Sequence, residues 1–447
     1  MNRLANILIA GTDPKRADRL SDVLSENNCN ALVCDEADQV LSEALEGGTD
    51  LVIVDHGSAD IDTFSLIDTL RKQPESAAIP IVVWAGEETD QLYEKALGAE
   101  VDDVYIGEPQ GDEIFLRFHP LLRLSTQLAE LRRRTALARK FGVDLPKSPD
   151  LSIDKGPISI VVSSSKEGTA EEIAAAFGDE GLLSRREPLF NARDALYDGQ
   201  FDAAVVGVSR DDAAEDVFEF CEEVRNNPRL FNLPILLIVE PGVELDAANA
   251  MSHGASRVLD AKQRMDWRIR YVVSSLGTRQ RLRWRIRDAM DAAMGDPIRD
   301  ELTGAYSYEF LRNHLDVLTE ESREWQRHLT VIFFSINQSV EEVRQEFGDA
   351  AADKLTATVS KWISRLVRLE DFTARYGGAE FCVTLPDSPL AEGKFVMHRV
   401  SGILGYTDFA IDDVYRPIAI TVAVGATEME PDDDPAALIA RAYQNLE

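Results

Sequence analysis

Leu51-Val52-Ile53-Val54-Asp55 is a run of four apolar residues that ends in a carboxylate. Similar apolar runs lie at residues 7–10 and 79–84, and segments with a helical pattern separate the three runs. Short apolar strands that alternate with helices are typical of a parallel sheet covered on both faces, whose functional loops lie at the carboxyl ends of the strands. The sequence therefore predicts a doubly wound α/β domain with Asp55 at this edge of its sheet.

The same pattern returns further along the chain. Its apolar runs have similar offsets and lie at residues 158–162, 201–206 and 233–239. Even the late Gly98-Ala99 step has a counterpart in Gly254-Ala255. We therefore predict an internal duplication that produces two alike α/β domains.

Two long charged helices and a linker are predicted between the domains. The helices lie at about residues 116–141 and 267–294, and the second is rich in arginine. Residues 145–149 contain two prolines, which break regular structure and mark a linker. The second helix leads through a Gly-Asp-Pro sequence into a last domain.

The composition limits the possible functions. The chain has 447 residues, a formal net charge of −32 and 45% hydrophobic residues, which suggests about three domains. So acidic a surface argues against binding to nucleic acid. No apolar run approaches the roughly 18 residues that span a bilayer, so we expect a cytoplasmic protein without membrane insertion. The four cysteines lack metal-ligand spacing, and we predict no metal site.

A second informative stretch joins Arg368-Leu-Glu-Asp371 to Gly377-Gly378-Ala379-Glu380-Phe381. A Gly-Gly pair between apolar runs predicts a tight hairpin turn. Ala379 follows this pair, where phosphoryl-transfer chemistry would use a carboxylate. An arginine fork matches guanine O6 and N7 or a phosphate, and an aspartate accepts hydrogen bonds from guanine N1 and N2. The stretch suggests a protein that binds a guanine nucleotide beside a damaged catalytic hairpin.

The two α/β domains resemble receiver domains, the phospho-acceptor modules of bacterial two-component signalling. Asp55 occupies the acceptor position, but the acidic pair falls on Gly11-Thr12, the hydroxyl position is Ala85 and the lysine position is Glu108. Since Mg²⁺ takes hard oxygen ligands, the resemblance implies weak Mg²⁺ binding at the first receiver. Two interpretations of Asp55 remain open, a live phospho-acceptor and a strand-end aspartate with a structural role.

The last part of the chain resembles a GGDEF domain, the diguanylate cyclase fold, from Asp300-Glu-Leu-Thr-Gly304 to a late strand at residues 418–425. The whole chain resembles response regulators of the PleD/PopA type, with a receiver over residues 1–142, a degenerate receiver used for docking over 150–290, and a degenerate GGDEF domain over 296–447. The implied fold class is α/β. Two doubly wound parallel-sheet (CheY-like) domains precede a nucleotidyl-cyclase-like domain with a mixed or antiparallel central sheet.

The resemblance implies a vestigial cyclase site. A cyclase needs carboxylates to hold Mg²⁺ and to position the attacking 3′-hydroxyl of GTP. Ser335 stands where the family has Asp, Asp353 matches a guanine-contacting acid, and the guanine-contacting Asn aligns near Arg344. The chain also ends before the family's γ-phosphate clamp. The hairpin part of the vestigial site comprises Gly377, Gly378, Ala379 and Glu380. We predict that the domain is not an enzyme and has no cofactor.

The effector site of the family is matched more closely. Its Arg-x-x-Asp signature, five residues before the Gly-Gly pair, is met by Arg368 and Asp371, and Arg399 lies at the offset of a second family arginine. The resemblance implies cyclic di-GMP as the ligand of these three residues. An isolated Arg-x-x-Asp on a helix would more often be a surface ion pair.

The sequence therefore predicts a non-catalytic cyclic di-GMP receptor, closest in character to the non-catalytic effectors of this type. By analogy with the family, it would recruit adaptor proteins in cell-cycle proteolysis, form a homodimer and reside at a cell pole. Two alternatives remain: an active or weakly active diguanylate cyclase that is regulated by receiver dimerisation, and a ligand-free scaffold.

Overall fold

The computed structural model describes residues 2–446, except residues 12, 59, 110, 148, 154–155, 165–172, 174, 176–180, 211, 228, 262–265 and 413. The predicted acidic-pair position Thr12 lies outside the described residues. The chain forms two compact units. The α/β unit contains residues 6–125 and 151–285, and the C-terminal unit contains residues 1–5, 126–150 and 286–447. The three-domain division stays a prediction, because these units divide the chain within its long helices.

The first sheet has the strand order β2-β1-β3-β4-β5. Its strands are β1 (Ala5–Ala10), β2 (Cys29–Cys34), β3 (Leu51–Asp55), β4 (Ile81–Ala85) and β5 (Asp103–Ile106). The helices are α1 (Pro14–Glu26), α2 (Ala37–Glu46), α3 (Thr63–Lys72), α4 (Asp90–Gly98) and α5 (Gly111–Lys140). Strands β1, β3, β4 and β5 pair in parallel, which confirms the predicted sheet. Every residue of β3 is buried, as a strand covered on both faces requires.

The second sheet repeats this arrangement with the order β10-β9-β8-β6-β7, and its pairs are parallel. Its strands are β6 (Ile158–Ser164), β7 (Leu182–Arg186), β8 (Ala203–Val208), β9 (Ile235–Val239) and β10 (Arg257–Asp260). The helices with described bounds are α6 (Leu189–Asp198), α7 (Ala214–Asn226), α8 (Ala247–Ser252) and α9 (Asp266–Ala293). The repeated order is what an internal duplication predicts.

A shared apolar core joins the two sheets of the α/β unit. Val101 and Val104 of the first half belong to the same buried cluster as Ile158 and Tyr271 of the second half. The Tyr271 hydroxyl donates a hydrogen bond to the Val101 carbonyl at 3.0 Å, and Ser275 Oγ donates to the neighbouring Asp102 carbonyl at 2.5 Å. Helix α9 therefore packs against the turn that precedes β5.

The C-terminal unit has a four-stranded antiparallel sheet in the order β12-β13-β11-β14. Its strands are β11 (Leu329–Ser335), β12 (Phe372–Gly377), β13 (Glu380–Pro386) and β14 (Ala423–Glu428). A 3₁₀ turn (Asp296–Ile298) precedes the helices α10 (Tyr308–Glu324), α11 (Asn337–Phe347), α12 (Asp349–Leu366), α13 (Leu390–Gly405) and α14 (Pro435–Gln444). The predicted α/β fold class with an antiparallel last sheet is confirmed.

The last strand begins later than the sequence predicted. Ile418 and Ile420 are buried, but Ile418 forms an isolated bridge with Phe409 instead of joining β11. Pairing with β11 starts at Ala423. The alternating apolar pattern at residues 418–422 therefore reports burial against the core and not membership of the sheet.

Candidate functional site

The predicted hairpin connects β12 and β13 and is held in shape by three side chains. Gly378 has φ +53°, a left-handed conformation that favours glycine. Arg375 donates from Nε and Nη2 to the Gly378 carbonyl at 2.9 and 2.8 Å. Its Nη1 also lies 3.1 Å from both carboxylate oxygens of Asp300. Arg375 thus connects the hairpin to the turn that contains Asp300.

Glu380 is the acid of this hairpin. It lies opposite Ser335 in the β11–β13 register. Its Oε1 accepts hydrogen bonds from Asn337 Nδ2 at 2.8 Å and from the Tyr443 hydroxyl at 3.1 Å, and the latter bond raises the pKa of Tyr443. Asn337 Oδ1 in turn accepts from the Ala379 amide at 2.9 Å. The structure therefore brings Ser335, Glu380 and the Gly-Gly turn together, and it adds Asn337 and Tyr443, which sequence reasoning did not assign.

Ala379 points away from this carboxylate. It is 2% exposed and belongs to the apolar cluster that also contains Ile336 and Phe381. Within the described residues, no three His, Cys, Asp or Glu side chains lie close enough together to hold a metal ion. The Mg²⁺ that the GGDEF resemblance implies does not fit this donor set, since Glu380 supplies one carboxylate and already accepts two hydrogen bonds.

Residues 368–371 form a loop between α12 and β12 and are not helical. The Arg368 amide donates to Asp371 Oδ2 at 2.8 Å, and the Asp371 amide donates to the Arg368 carbonyl at 3.1 Å. These two bonds close the loop into a turn of the kind that Asp side chains favour. The surface-helix alternative for this motif therefore does not apply.

Arg399 approaches this loop from α13. Its Nη2 donates to the Leu366 carbonyl at 2.7 Å. Burial, together with the positive charge of Arg368, lowers the pKa of Arg399, while the charge of Asp371 acts in the opposite direction. Arg368 also lies 3.4 Å from Glu392 on the same helix. The three residues predicted to bind cyclic di-GMP are thus near neighbours.

The long helix α5, which we call the stalk helix, contacts the buried side of the 368–371 loop. Arg134 Nη2 donates to the carbonyls of Glu370 and Asp371 at 2.8 and 3.1 Å. Gln127 Nε2 donates to Glu370 Oε2 at 3.0 Å. The Arg134 guanidinium also lies 5.4 Å from the centroid of the Phe372 ring. These contacts could not be predicted from the sequence, because Arg134 and Gln127 occupy an ordinary charged helical pattern.

Glu130 connects Arg134 to the rest of the C-terminal unit. It is 0% exposed and accepts from Arg134 Nε at 2.7 Å, from His314 Nε2 at 2.6 Å and from Arg133 Nη1 at 2.5 Å. Burial alone would raise the pKa of Glu130, but the neighbouring charges lower it well below its usual value. Burial lowers the pKa of His314. The buried carboxylate is therefore ionised and fully surrounded by donors.

Two positions assigned from the sequence lie away from these groups. Asp353 is exposed on α12. Arg344 is exposed at the end of α11, where it pairs with Glu341 at 2.6 Å and with Asp349 at 3.1 Å. Neither residue contacts the hairpin or the 368–371 loop within the described structure.

Asp55 ends β3 as predicted, but an arginine holds its carboxylate. Asp55 is 2% exposed, and its Oδ1 lies 3.3 Å from Arg16 Nη2 and accepts from the Gly57 amide at 3.1 Å. The Arg16 guanidinium stacks 4.2 Å from the centroid of the Trp84 ring. Asp13, the nearest acid to the expected pair, caps α1 by accepting from the Lys15 amide at 3.0 Å. A cation from the chain itself therefore neutralises Asp55, and the site does not fit Mg²⁺.

Comparison with known proteins finds one family match within the C-terminal unit. Residues 298–447 match the family described as diguanylate cyclase, GGDEF domain. This match covers the hairpin and the 368–371 loop. Residues 298–447 are thus similar to the GGDEF domains of diguanylate cyclases.

Over most of its length the chain is similar to the response regulator PleD of Caulobacter vibrioides, with 23% identity over 402 residues that cover 89% of this chain and 86% of PleD. It is also 31% identical over 104 residues to the diguanylate cyclase DgcP of Pseudomonas aeruginosa, covering 23% of this chain and 15% of DgcP. Among solved structures, the GGDEF domain of DgcB from Caulobacter crescentus in complex with c-di-GMP gives a TM-score of 0.32 at 21% identity, covering 34% of this chain and 85% of that chain.

These matches correct one prediction. The sequence argument concluded that the chain is not an enzyme, but the matching family and named relatives such as DgcP are diguanylate cyclases, which points to a cyclase. That prediction rested on single positions such as Ser335, Arg344 and Ala379, whereas the family match spans the whole of residues 298–447. Among the described residues, no helix is long and apolar enough to cross a membrane.

Proposed function

We propose that this response regulator binds cyclic di-GMP through Arg368, Asp371 and Arg399 and condenses GTP slowly at the Glu380 hairpin. The observation that carries the binding proposal is the convergence of two arginines and one aspartate on the 368–371 loop. Burial and the positive charge of Arg368 both lower the pKa of Arg399. Two neighbouring cations with few partners favour an anionic ligand, and each guanidinium can read a guanine edge or a phosphate.

The ligand chemistry agrees with the loop geometry. Asp371 offers carboxylate oxygens to guanine N1 and N2, while the arginine forks match guanine O6 and N7. Each bidentate contact of this type contributes about 1–3 kcal/mol of discrimination. The turn formed by the Arg368 amide and Asp371 Oδ2 fixes the direction of both side chains before the ligand arrives.

The cyclase proposal rests on Glu380 and its donors. In this reaction a 3′-hydroxyl oxygen attacks the α-phosphorus of a second GTP, pyrophosphate leaves, and the hydroxyl proton passes to a base. Glu380 is the carboxylate that the hairpin provides for this proton, and Asn337 orients it. Because Ser335 and Ala379 supply no second acid, we expect a low rate.

Binding is tested by titration calorimetry with cyclic di-GMP on the full chain. We expect saturable binding by the wild type and at least about tenfold weaker binding by Arg368→Ala or Arg399→Ala, since each removes a guanidinium contact. The matched control is Arg365→Ala, which changes an exposed arginine at the end of α12. An absence of heat with the wild type, or equal affinities for Arg365→Ala and Arg368→Ala, would contradict the binding site.

Turnover is tested by following cyclic di-GMP production from GTP. We expect slow product formation by the wild type and a loss of about tenfold or more in Glu380→Gln, because the amide cannot accept the hydroxyl proton. Glu324→Gln, an exposed change at the end of α10, is the control. If wild type and Glu380→Gln gave the same background, the cyclase proposal would fail while the binding proposal would stand.

Ligand occupancy can act on partners only through different affinities for two arrangements of the chain. We propose that cyclic di-GMP selects the arrangement that recruits adaptor proteins and that the chain acts as a homodimer. Light scattering with and without cyclic di-GMP tests the dimer. A monomer in both conditions would remove the dimer from the proposal.

A further inference from the structure

A cavity of about 810 Å³ lies between the two halves of the α/β unit. One side is formed by the turn from α4 to β5, including Leu97 and Val101, and another by residues around Pro157 at the start of β6. The third side is a face of α9 that carries Arg270 and Arg279. Its volume is in the range of small-molecule sites, which are mostly apolar with a few well-placed polar groups.

Arg279 is a buried cation that faces this cavity. Its side chain is 5% exposed, yet its hydrogen bond to the described residues is a single one, from Nε to the Ser275 carbonyl at 3.3 Å. It forms no ion pair with any carboxylate in the described part of the chain. A guanidinium has five N–H donors, so most of its donors point at space that no protein acceptor fills. A buried guanidinium with a single hydrogen bond among the described residues is costly.

The surroundings of Arg279 contain both positive and negative charges. The buried Asp103 carboxylate lies 3.0 Å from Arg117 Nη2 and also pairs with the buried Arg257. The positive charge of Arg279 also lowers the pKa of Asp103. Three guanidinium groups thus share Asp103, with Glu113 as a second, more exposed partner of Arg117 at 3.5 Å. The cavity lining also contains the carboxylates of Glu100 and Asp102, and Asp102 pairs with Arg71 at 2.9 Å.

Other residues of α9 also line the cavity, but Arg270 is nine residues away from Arg279, about 13.5 Å along the helix axis. Arg270 lies 5.3 Å from the centroid of the Trp267 ring and pairs with no carboxylate of the described residues. Ser274 and Thr278 follow Arg270 at intervals of four residues, so that their hydroxyls lie on the same helical face along the cavity. A guanidinium group and a hydroxyl are donors that a phosphate group uses, and Thr278 is the sequence neighbour of Arg279.

We propose that this cavity binds a small phosphorylated ligand, whose phosphate contacts Arg279 and whose remainder occupies the apolar side of the cavity at Leu97 and Val101. The net charge of −32 makes adventitious anion binding elsewhere on the surface unfavourable. The site is separate from the cyclic di-GMP proposal, because it uses residues of the α/β unit only.

Thermal unfolding of the full chain with inorganic phosphate tests this site, with sodium chloride at equal ionic strength as reference. We expect phosphate to raise the Tm of the wild type and to leave that of Arg279→Met unchanged, because ligand binding stabilises the folded state by mass action. Without phosphate, Arg279→Met should have the higher Tm of the two, since Asp103 keeps its pairs with Arg117 and Arg257 and the variant removes a third buried cation beside it. An arginine with a purely structural pairing role would show the opposite order.

Two further variants and one further probe complete the test. Arg279→Lys keeps the charge but lacks the planar guanidinium, so it should bind phosphate with about tenfold weaker affinity. Arg229→Met, at an exposed position, should respond like the wild type. Adenosine monophosphate should bind more tightly than inorganic phosphate, because its remainder can occupy the apolar side of the cavity; equal affinities would contradict this part of the proposal. A wild type without any response, or an Arg279→Met variant that keeps the response, would overturn the proposal.

Discussion

The substitution Arg134→Met tests whether the stalk helix α5 positions the loop that carries Arg368 and Asp371. Methionine keeps much of the side-chain volume and removes the guanidinium. The variant loses hydrogen bonds to Glu130 Oε1 at 2.7 Å, to the Glu370 carbonyl at 2.8 Å and to the Asp371 carbonyl at 3.1 Å. The loop then keeps its internal turn but loses its attachment to the helix.

The expected loss of free energy of unfolding follows from these contacts. Removing one partner of a buried ion pair costs about 3–5 kcal/mol, and a buried carbonyl left without a donor costs about 1–3 kcal/mol. Glu130 still accepts from Arg133 and His314 in the variant, so the ion-pair loss is partial. We expect a total of about 3–5 kcal/mol from the C-terminal unit, which is a large part of the stability of a typical domain.

Hydrogen exchange measured by mass spectrometry is the suitable assay, because a chain with two compact units does not unfold as a single two-state system. Protection of residues 126–140 and 368–377 should fall by about 100-fold or more, at 1.4 kcal/mol per factor of ten. The affinity for cyclic di-GMP should fall by about tenfold, since the loop is no longer pre-organised. Protection in the α/β unit should not change.

The matched control is Arg132→Met, an exposed position two residues earlier on the same helix. A second substitution, Glu130→Gln in the Arg134→Met background, should recover part of the lost protection, because it removes a buried charge that has lost a partner. If Arg134→Met exchanged and bound ligand like Arg132→Met, the contacts from α5 would not position the loop.

Three further predictions concern other parts of the chain. Burial alone would raise the pKa of Asp103, but neighbouring arginines lower it to about 2; stability should therefore decrease as the pH falls from about 4 towards 2, and a flat urea-unfolding profile over this range would contradict the pairing. Gly378→Ala should lower the free energy of unfolding by about 1–2 kcal/mol, because φ is +53° and the added carbon would lie 3.0 Å from a neighbouring amide oxygen. Gly377→Ala adds its carbon to open space and should lower it less in the same denaturation experiment. With a small phosphodonor, Asp55 should gain a phosphoryl group faster in Arg16→Ala than in the wild type, because the arginine holds Oδ1 at 3.3 Å; equal labelling by intact-mass measurement would count against this role of Arg16.

Much of the fold could be predicted because it depends on neighbours in the sequence. Full apolar runs such as residues 51–54 predict buried parallel strands, and their repetition predicts the second sheet. The Gly377-Gly378 pair predicts the hairpin because a left-handed residue is required at the turn. The strand at residues 418–425 was less predictable, since burial and sheet pairing produce the same alternation.

For the candidate cyclic di-GMP site, too, the sequence predicts the local features but not the long-range contacts. The spacing of Arg368 and Asp371 to the hairpin determines that both lie in one loop, and it can be read without coordinates. The residues that contact this loop cannot be predicted from the sequence, because Arg134 and Glu370 are separated by 236 positions and meet only after α5 has packed.

The sequence by itself determined the strands, the hairpin and the class of chemistry of each motif, because these depend on residue type and local spacing. Only the tertiary structure decided which charges neutralise one another. It placed Arg16 on Asp55 and Asn337 on Glu380, and it left Arg279 facing a cavity. The physical reason is that electrostatic and hydrogen-bond energies depend on distances of a few ångströms between distant residues, and those distances are set by packing and not by order along the chain.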